Sequence, residues 1–292
     1  MQTNKVFVIG SGTMGHGICQ VCAQSGISVV MLDLTQELLD KALEKVHWSV
    51  SKFVEKGKLT ESVDDIVGRI QLSTDYEAAA DADLVIEAVF EKIEVKHEVF
   101  KKLDAVVGEK TILASNTSAL PITAIASVTK RPENFLGLHF FNPVPMMAAV
   151  EVIRGISTSD ETFQYGADFV RFIGKEPILV NRDIAGFILN RINMLSNMEA
   201  YRLVEQDVSS CEDIDKGMRL AFGRRMGPFE TSDLVGLDVQ LMAYTNAYEE
   251  EKNPRFYPPS ILRGKVLAGH LGRKTGKGWY EYNPDGTRKD KN

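Results

Sequence analysis

The stretch Lys5-Val6-Phe7-Val8-Ile9-Gly10-Ser11-Gly12-Thr13-Met14-Gly15 decides the fold class. An unbroken apolar, β-branched run reads as a strand covered on both faces, and the glycines that follow end it abruptly. Gly10, Gly12 and Gly15 then stand in the spacing GxGxxG, at the opening of a segment with helical periodicity. Each glycine has a reason in that context. Gly10 allows a tight turn, Gly12 lets backbone approach a pyrophosphate, and Gly15 lets the helix pack closely against the strand. Ser11, Thr13 and Met14 complete a loop whose helix start offers unpaired N–H groups and a positive dipole end to phosphates.

A second strand over residues 29–32 closes on Asp33. A carboxylate at that point accepts hydrogen bonds from adenosine ribose hydroxyls and repels the additional phosphate of NADP. NAD is therefore the expected cofactor and NADP the less favoured one.

Working outward, residues 84–88 and 112–115 read as further strands. Residues 35–55 and 92–107 carry apolar side chains at three- and four-residue spacing, as amphipathic helices do. Strand and helix in alternation specify a parallel sheet with crossover helices. Strand signals fade after Asn181, and helical segments follow at 187–205, 211–221 and 229–249. A chain of 292 residues exceeds what one core usually organises. The expectation is an α/β protein with a Rossmann-type doubly wound sheet over residues 1–184, followed by an all-α domain over 185–292. The polar, basic tail from Asp285 is expected to fray.

A net charge of −6 argues against a nucleic-acid partner or an anionic membrane surface, both of which need a basic face. No apolar run is long enough to span a bilayer, and the opening residues carry no leader pattern, so a cytoplasmic protein is expected. Of three cysteines, Cys19 and Cys22 form a CxxC inside the first helix, but no second pair completes a metal site. They read as small buried helix residues, and no metal is expected.

The chemistry is carried by three segments. Ser115-Asn116-Thr117-Ser118 follows a strand, Gly137-Leu138-His139-Phe140-Phe141-Asn142-Pro143 leads into a turn, and Val150-Glu151-Val152 leaves it. An antiparallel hairpin turning near Pro145 makes His139 and Glu151 cross-strand neighbours. Oxidising a secondary alcohol requires a base for the hydroxyl proton, and histidine is the residue type that titrates in the working range. A carboxylate on its other ring nitrogen fixes the tautomer and stabilises the imidazolium.

These motifs, together with Ile9 to Gly15, Asn190-Arg191, Met226-Gly227-Pro228-Phe229-Glu230 and Lys274-Thr275-Gly276-Lys277-Gly278-Trp279-Tyr280, resemble the 3-hydroxyacyl-CoA dehydrogenase family over nearly the whole chain. The resemblance implies His139 as general base and Glu151 as its orienting carboxylate. It implies Ser118 and Asn190 as donors to the substrate oxygen. It places Glu91, Lys96, Asn116, Ser118, Asn142 and Lys274 at the ribose and nicotinamide end of NAD. The helix over 35–55 and its end carry Lys41, Lys45, Lys52, Lys56 and Lys58. There the resemblance sets Ser49 and Lys56 against the phosphorylated end of a CoA thioester, and it implies a homodimer formed through the C-terminal domain. The same superfamily holds sugar-acid dehydrogenases acting on gulonate and non-catalytic crystallins. The lysine-bearing helix argues against the first, and the retained Ser118, His139, Glu151 and Asn190 argue against the second.

Overall fold

The computed structural model describes residues 3–289. The chain divides into two compact units, Met1–Phe187 and Ile188–Asn292.

In the first unit, β1 (Lys5–Ile9), β2 (Ser28–Leu32), β3 (Ile70–Ser73), β4 (Leu84–Glu87), β5 (Ile112–Ser115), β6 (Phe135–Phe140), β7 (Ala149–Ile153) and β8 (Glu176–Val180) form one sheet. Its order is β3-β2-β1-β4-β5-β6-β7-β8. The β6–β7 pair is antiparallel, whereas β7 and β8 are parallel again. Winding reverses between β1 and β4, and in a doubly wound sheet that switch point opens the ligand crevice. The helices are α1 (Gly15–Gln24), α2 (Gln36–Glu55), α3 (Val63–Val67), α4 (Ile93–Val106), α5 (Ile122–Ala126) and α6 (Asp160–Phe172).

The elements follow from the residues. Val6, Phe7 and Val8 are wholly buried, as a strand covered on both faces demands. Thr35 caps α2 by accepting the Leu38 N–H, worth about 1 kcal/mol. Leu39, Ala42, Val46 and Val50 then bury one stripe of that helix. They join Ile18, Cys19 and Cys22 of α1 and Leu138, Val150 and Phe169 in a single core. Burial raises the Cys19 thiol and pushes Cys22 up to about 12, so both behave as small apolar residues. Edge strand β3 and helices α3, α5 and α6 go beyond the sequence reading. β3 is short, with Ile70 buried, Gln71 exposed and Leu72 and Ser73 half-buried, and only its pairing with β2 defines it.

The second unit holds α7 (Leu189–Glu205), α8 (Cys211–Phe222), α9 (Pro228–Val235), α10 (Leu237–Glu251) and α11 (Ser260–Leu267). The single helix expected over 229–249 is two helices. Gly236 adopts φ 105° and ψ 127°, outside the helical region, and breaks it. Asp215 accepts from the backbone N–H groups of Phe229 and Glu230 and from the Tyr280 hydroxyl. Asp233 likewise accepts from the N–H groups of Trp279 and Tyr280 and from the Tyr282 hydroxyl. Two buried carboxylates thus tie the C-terminal segment to the helices. The tail is not frayed as far as Lys289, because Asn283 N–H donates to Thr287 O and Lys289 N–H to Glu281 O, each at 2.8 Å. Residues 290–292 lie outside the described residues. Among the described residues no helix is long and apolar enough to cross a membrane.

Candidate active site

The carboxyl ends of β1, β4, β5 and β6 surround a cavity of about 330 Å³ lined by Met14, Ala88, Val89, Glu91, Asn116, Ser118, His139, Phe140, Phe141 and Asn142. The fingerprint loop borders it. Gly10 has φ +96°, and a Cβ there would lie 2.6 Å from the Ala88 carbonyl oxygen, so no other residue fits without strain. A Cβ on Gly15 would lie 1.6 Å from the Gly10 carbonyl oxygen. The loop's own turn, more than the strand, therefore forbids a side chain at Gly15. A Cβ on Gly12 meets nothing within 4 Å, which leaves open space over the backbone at the start of α1. That space and those N–H groups suit a pyrophosphate.

Asp33 closes β2 half-buried. Its Oδ2 accepts the Ser11 N–H at 2.7 Å and the Ser11 hydroxyl at 2.6 Å, and its Oδ1 accepts the Leu34 N–H at 2.7 Å. The carboxylate therefore braces the glycine loop. Acceptor capacity left on its oxygens is what a ribose needs.

β6 and β7 pair with His139 opposite Glu151. His139 Nδ1–H donates to Glu151 Oε2 at 2.7 Å, and both residues are buried, at 5% and 0% exposure. Nε2 is the ring nitrogen left for a substrate. The rings of Phe141 and Phe187 lie 4.5 and 5.6 Å from the imidazole, centroid to centroid, and give it a dry, apolar frame. Lys175, itself buried, donates to the carbonyl oxygens of Val144 at 2.7 Å and Met147 at 2.6 Å. It fixes the hairpin loop. The same loop packs on α1, because a Cβ on Gly17 would lie 2.9 Å from Val144 Cβ. Burial lowers the Lys175 ammonium.

The loop after β5 is held by carboxylates. Glu91 Oε1 accepts the Thr117 hydroxyl, the Ser118 N–H at 2.8 Å and the Ala119 N–H at 3.1 Å. Partial burial pushes the Glu91 carboxyl up, but the Lys96 charge and these donors outweigh it and hold it below its ordinary value. Asn116 Oδ1 accepts the Phe140 N–H at 2.9 Å and joins the ends of β5 and β6. Lys96 sits beneath this loop. It is 1% exposed, and its ammonium lies 2.6 Å from Glu87 Oε1 and 3.1 Å from Glu91 Oε2.

Asn190 sits in the first turn of α7, and Lys274 pairs with Asp238 at 2.6 and 2.7 Å, both within the second unit. Along α2, Lys41, Lys45, Ser49, Lys52 and Lys56 recur at three- and four-residue spacing and share one face. Lys41 is paired with Glu37 and Lys52 with Glu55. Lys56 is the exposed C-terminal cap residue of α2.

Sequence reasoning missed Glu87 and Lys175. An acid ending the wholly apolar run Leu84-Val85-Ile86 was a signal of the kind that Asp33 gives at the end of β2. Lys175 carried none, since its partners are backbone carbonyls distant in the chain.

A doubly wound sheet with this fingerprint, this acid and this cavity defines an NAD-dependent oxidoreductase. Residues 5–184 match the family model described as 3-hydroxyacyl-CoA dehydrogenase, NAD binding domain, and residues 186–282 match its C-terminal domain. The chain belongs to the 3-hydroxyacyl-CoA dehydrogenase family. It is 45% identical over 278 residues to a probable 3-hydroxybutyryl-CoA dehydrogenase of Deinococcus radiodurans, covering 95% of this chain and 100% of that one. It is 44% identical over 286 residues to the mitochondrial hydroxyacyl-coenzyme A dehydrogenase of Rattus norvegicus, covering 95% and 90%. Among solved structures it is similar to the (S)-3-hydroxybutyryl-CoA dehydrogenase PaaH1 of Ralstonia eutropha. The TM-score is 0.93 at 41% identity, over 97% of this chain and 100% of that one.

Proposed function

We propose that this chain catalyses the reversible, NAD-dependent oxidation of a short (S)-3-hydroxyacyl-CoA, 3-hydroxybutyryl-CoA foremost, to the 3-ketoacyl-CoA. The observation that carries the reading is the buried His139–Glu151 pair, whose histidine lines a cavity that borders the fingerprint loop. NAD, when bound, supplies the two-electron acceptor. His139 Nε2 takes the hydroxyl proton in oxidation and returns it in reduction. Glu151, bonded at Nδ1, holds the tautomer and stabilises the imidazolium. Ser118 donates to the substrate oxygen as negative charge develops on it, and Asn190 is proposed as a second donor.

Gly10, Ser11, Gly12, Thr13, Met14 and Gly15 hold the pyrophosphate in this reading, and Asp33 holds the adenosine ribose. Glu91, Asn116, Ser118 and Asn142 serve the nicotinamide end, with Lys274 proposed to join them and Lys96 acting through Glu91. Ser49 and Lys56 receive the CoA phosphates. The second unit is proposed as the substrate-binding and dimer-forming part. Its exposed Leu220 and Phe222, at 78% and 75%, support a homodimer. The free thiols of Cys19, Cys22 and Cys211 fit a reducing, cytosolic location.

Initial rates with acetoacetyl-CoA and longer 3-ketoacyl-CoAs and NADH, beside gulonate and NAD, test the assignment. Fastest turnover is expected with acetoacetyl-CoA. Faster turnover of gulonate overturns the substrate class, and no turnover of any of them overturns the enzyme.

A further inference from the structure

A wholly buried glutamate closes β4 at the switch point, and no step of the mechanism above uses it. Glu87 is 0% exposed. Its Oε1 accepts the Val89 N–H at 2.7 Å and the Lys96 ammonium at 2.6 Å, while its Oε2 accepts the Ser115 hydroxyl at 2.6 Å. Its main-chain carbonyl accepts the Asn116 N–H at 2.8 Å. One residue thereby ties together the loop after β4, helix α4 and the end of β5. Val89, Glu91, Asn116 and Ser118 all line the cavity, and all belong to segments fastened this way.

A stability role alone explains little. Burying two charges gives back much of their attraction in lost hydration, so a buried ion pair is weak evidence for net stabilisation. Geometry is the more direct consequence. Lys96 bridges Glu87 and Glu91, and Glu91 in turn receives the donors of Thr117, Ser118 and Ala119. The order of contacts runs from the sheet outward: a strand end, an ammonium, a second carboxylate, then the loop that carries Ser118.

We propose that Glu87 is a positioning residue for the reaction, acting through Lys96 to fix Glu91 and, through Glu91, the loop Asn116 to Ala119 against cofactor and substrate. The proposal rests on the dehydrogenase reading. It concerns residues that touch neither reacting atom, so its test is a coupling between variants read first in cofactor binding.

NADH dissociation constants by fluorescence titration, with kcat for acetoacetyl-CoA reduction, are to be measured for wild type, Glu87→Gln, Lys96→Met and the double variant, each checked for its fold by circular dichroism. Each single variant is expected to weaken NADH binding and lower kcat by about 10-fold, since small misplacements of a positioned group are amplified in rate. The double variant is expected to lose no more than the worse single one, because both act through one chain of contacts. In Lys96→Met the burial of Glu91 loses its opposing charge, so NADH binding is expected to weaken as pH falls through a range where wild type is flat. Wild-type NADH affinity and kcat in folded Glu87→Gln, or losses that multiply in the double variant, overturn the proposal. If Glu87→Gln does not fold, Ser115→Ala takes its place in the cycle. It removes a donor to Glu87 without changing a charge, and the same coupling with Lys96→Met is expected. Wild type that fails to bind NADH or to reduce acetoacetyl-CoA overturns the dehydrogenase reading instead. Active wild type beside an indistinguishable Glu87→Gln overturns only the positioning role.

Discussion

His139 owes its assignment to three neighbours: Glu151 on one ring nitrogen, and the tilted rings of Phe141 and Phe187 beside the imidazole. None of them binds a dinucleotide in the proposed mechanism, so proton transfer and cofactor binding separate cleanly. His139→Ala is expected to lower kcat by roughly 100-fold or more with NADH affinity nearly unchanged, measured by steady-state rates and fluorescence titration. Glu151→Gln is expected to keep the fold and lose much of the rate, with a displaced pH–rate profile. An unchanged profile counts against the pairing. Asp33 behaves differently, because it holds Ser11 through both the N–H and the hydroxyl. Asp33→Ala removes a brace of the loop and, in the proposed reading, the ribose acceptor with it. NAD binding is expected to weaken and discrimination against NADP to relax, and a wild type that already prefers NADPH contradicts the assignment.

At the scale of elements, α2 shows how one helix serves two purposes. Its buried stripe anchors it in the core, and a separate face presents Lys41, Lys45, Ser49, Lys52 and Lys56. Two of those lysines are engaged by glutamates on the same helix, while Lys56 at the end is exposed. If that end meets the phosphates of CoA, reversing its charge should act on the CoA substrate alone. Lys56→Glu is expected to raise KM for acetoacetyl-CoA several-fold at low ionic strength, and less as salt screens the contact. KM for NADH should not move, and neither should KM for acetoacetyl-N-acetylcysteamine, which lacks the phosphates. Equal damage to both thioesters would assign Lys56 to folding instead.

Across the whole molecule the two units are secured by different means. The first is a sheet with apolar strands buried on both faces, whereas the second relies on Asp215 and Asp233 gathering backbone and tyrosine donors. Asp215→Ala leaves two N–H groups and the Tyr280 hydroxyl without their acceptor, at a cost of about 3 kcal/mol in thermal or denaturant unfolding. Burial raises the Asp215 carboxyl, and its hydrogen bonds only partly offset that. A raised folded value stabilises fully below the unfolded value and loses that contribution as pH rises through the folded one. The gap between wild type and Asp215→Ala is therefore expected to be wider in acid than at neutral pH. A gap that narrows in acid contradicts the assignment of the shift.

The strand–glycine–helix opening, Asp33 at the end of β2, the long helices α2 and α4 and the register of His139 against Glu151 could all be read from the sequence. Each is set by periodicity, by glycine spacing or by a turn within a few residues. The break at Gly236, the edge strand β3 and the hydrogen-bonded tail up to Lys289 could not. Gly236 is compatible with a helix until its backbone is seen, and β3 and the tail exist only through their pairing partners. The functional residues divide the same way. Nothing local marks Lys96 as buried between Glu87 and Glu91, or Lys175 as the anchor of a loop whose carbonyls lie 31 and 28 residues before it. Such pairings come into being only when separate elements pack, because the energy of a buried charge depends on which partners the fold brings to it, and those partners are scattered along the chain.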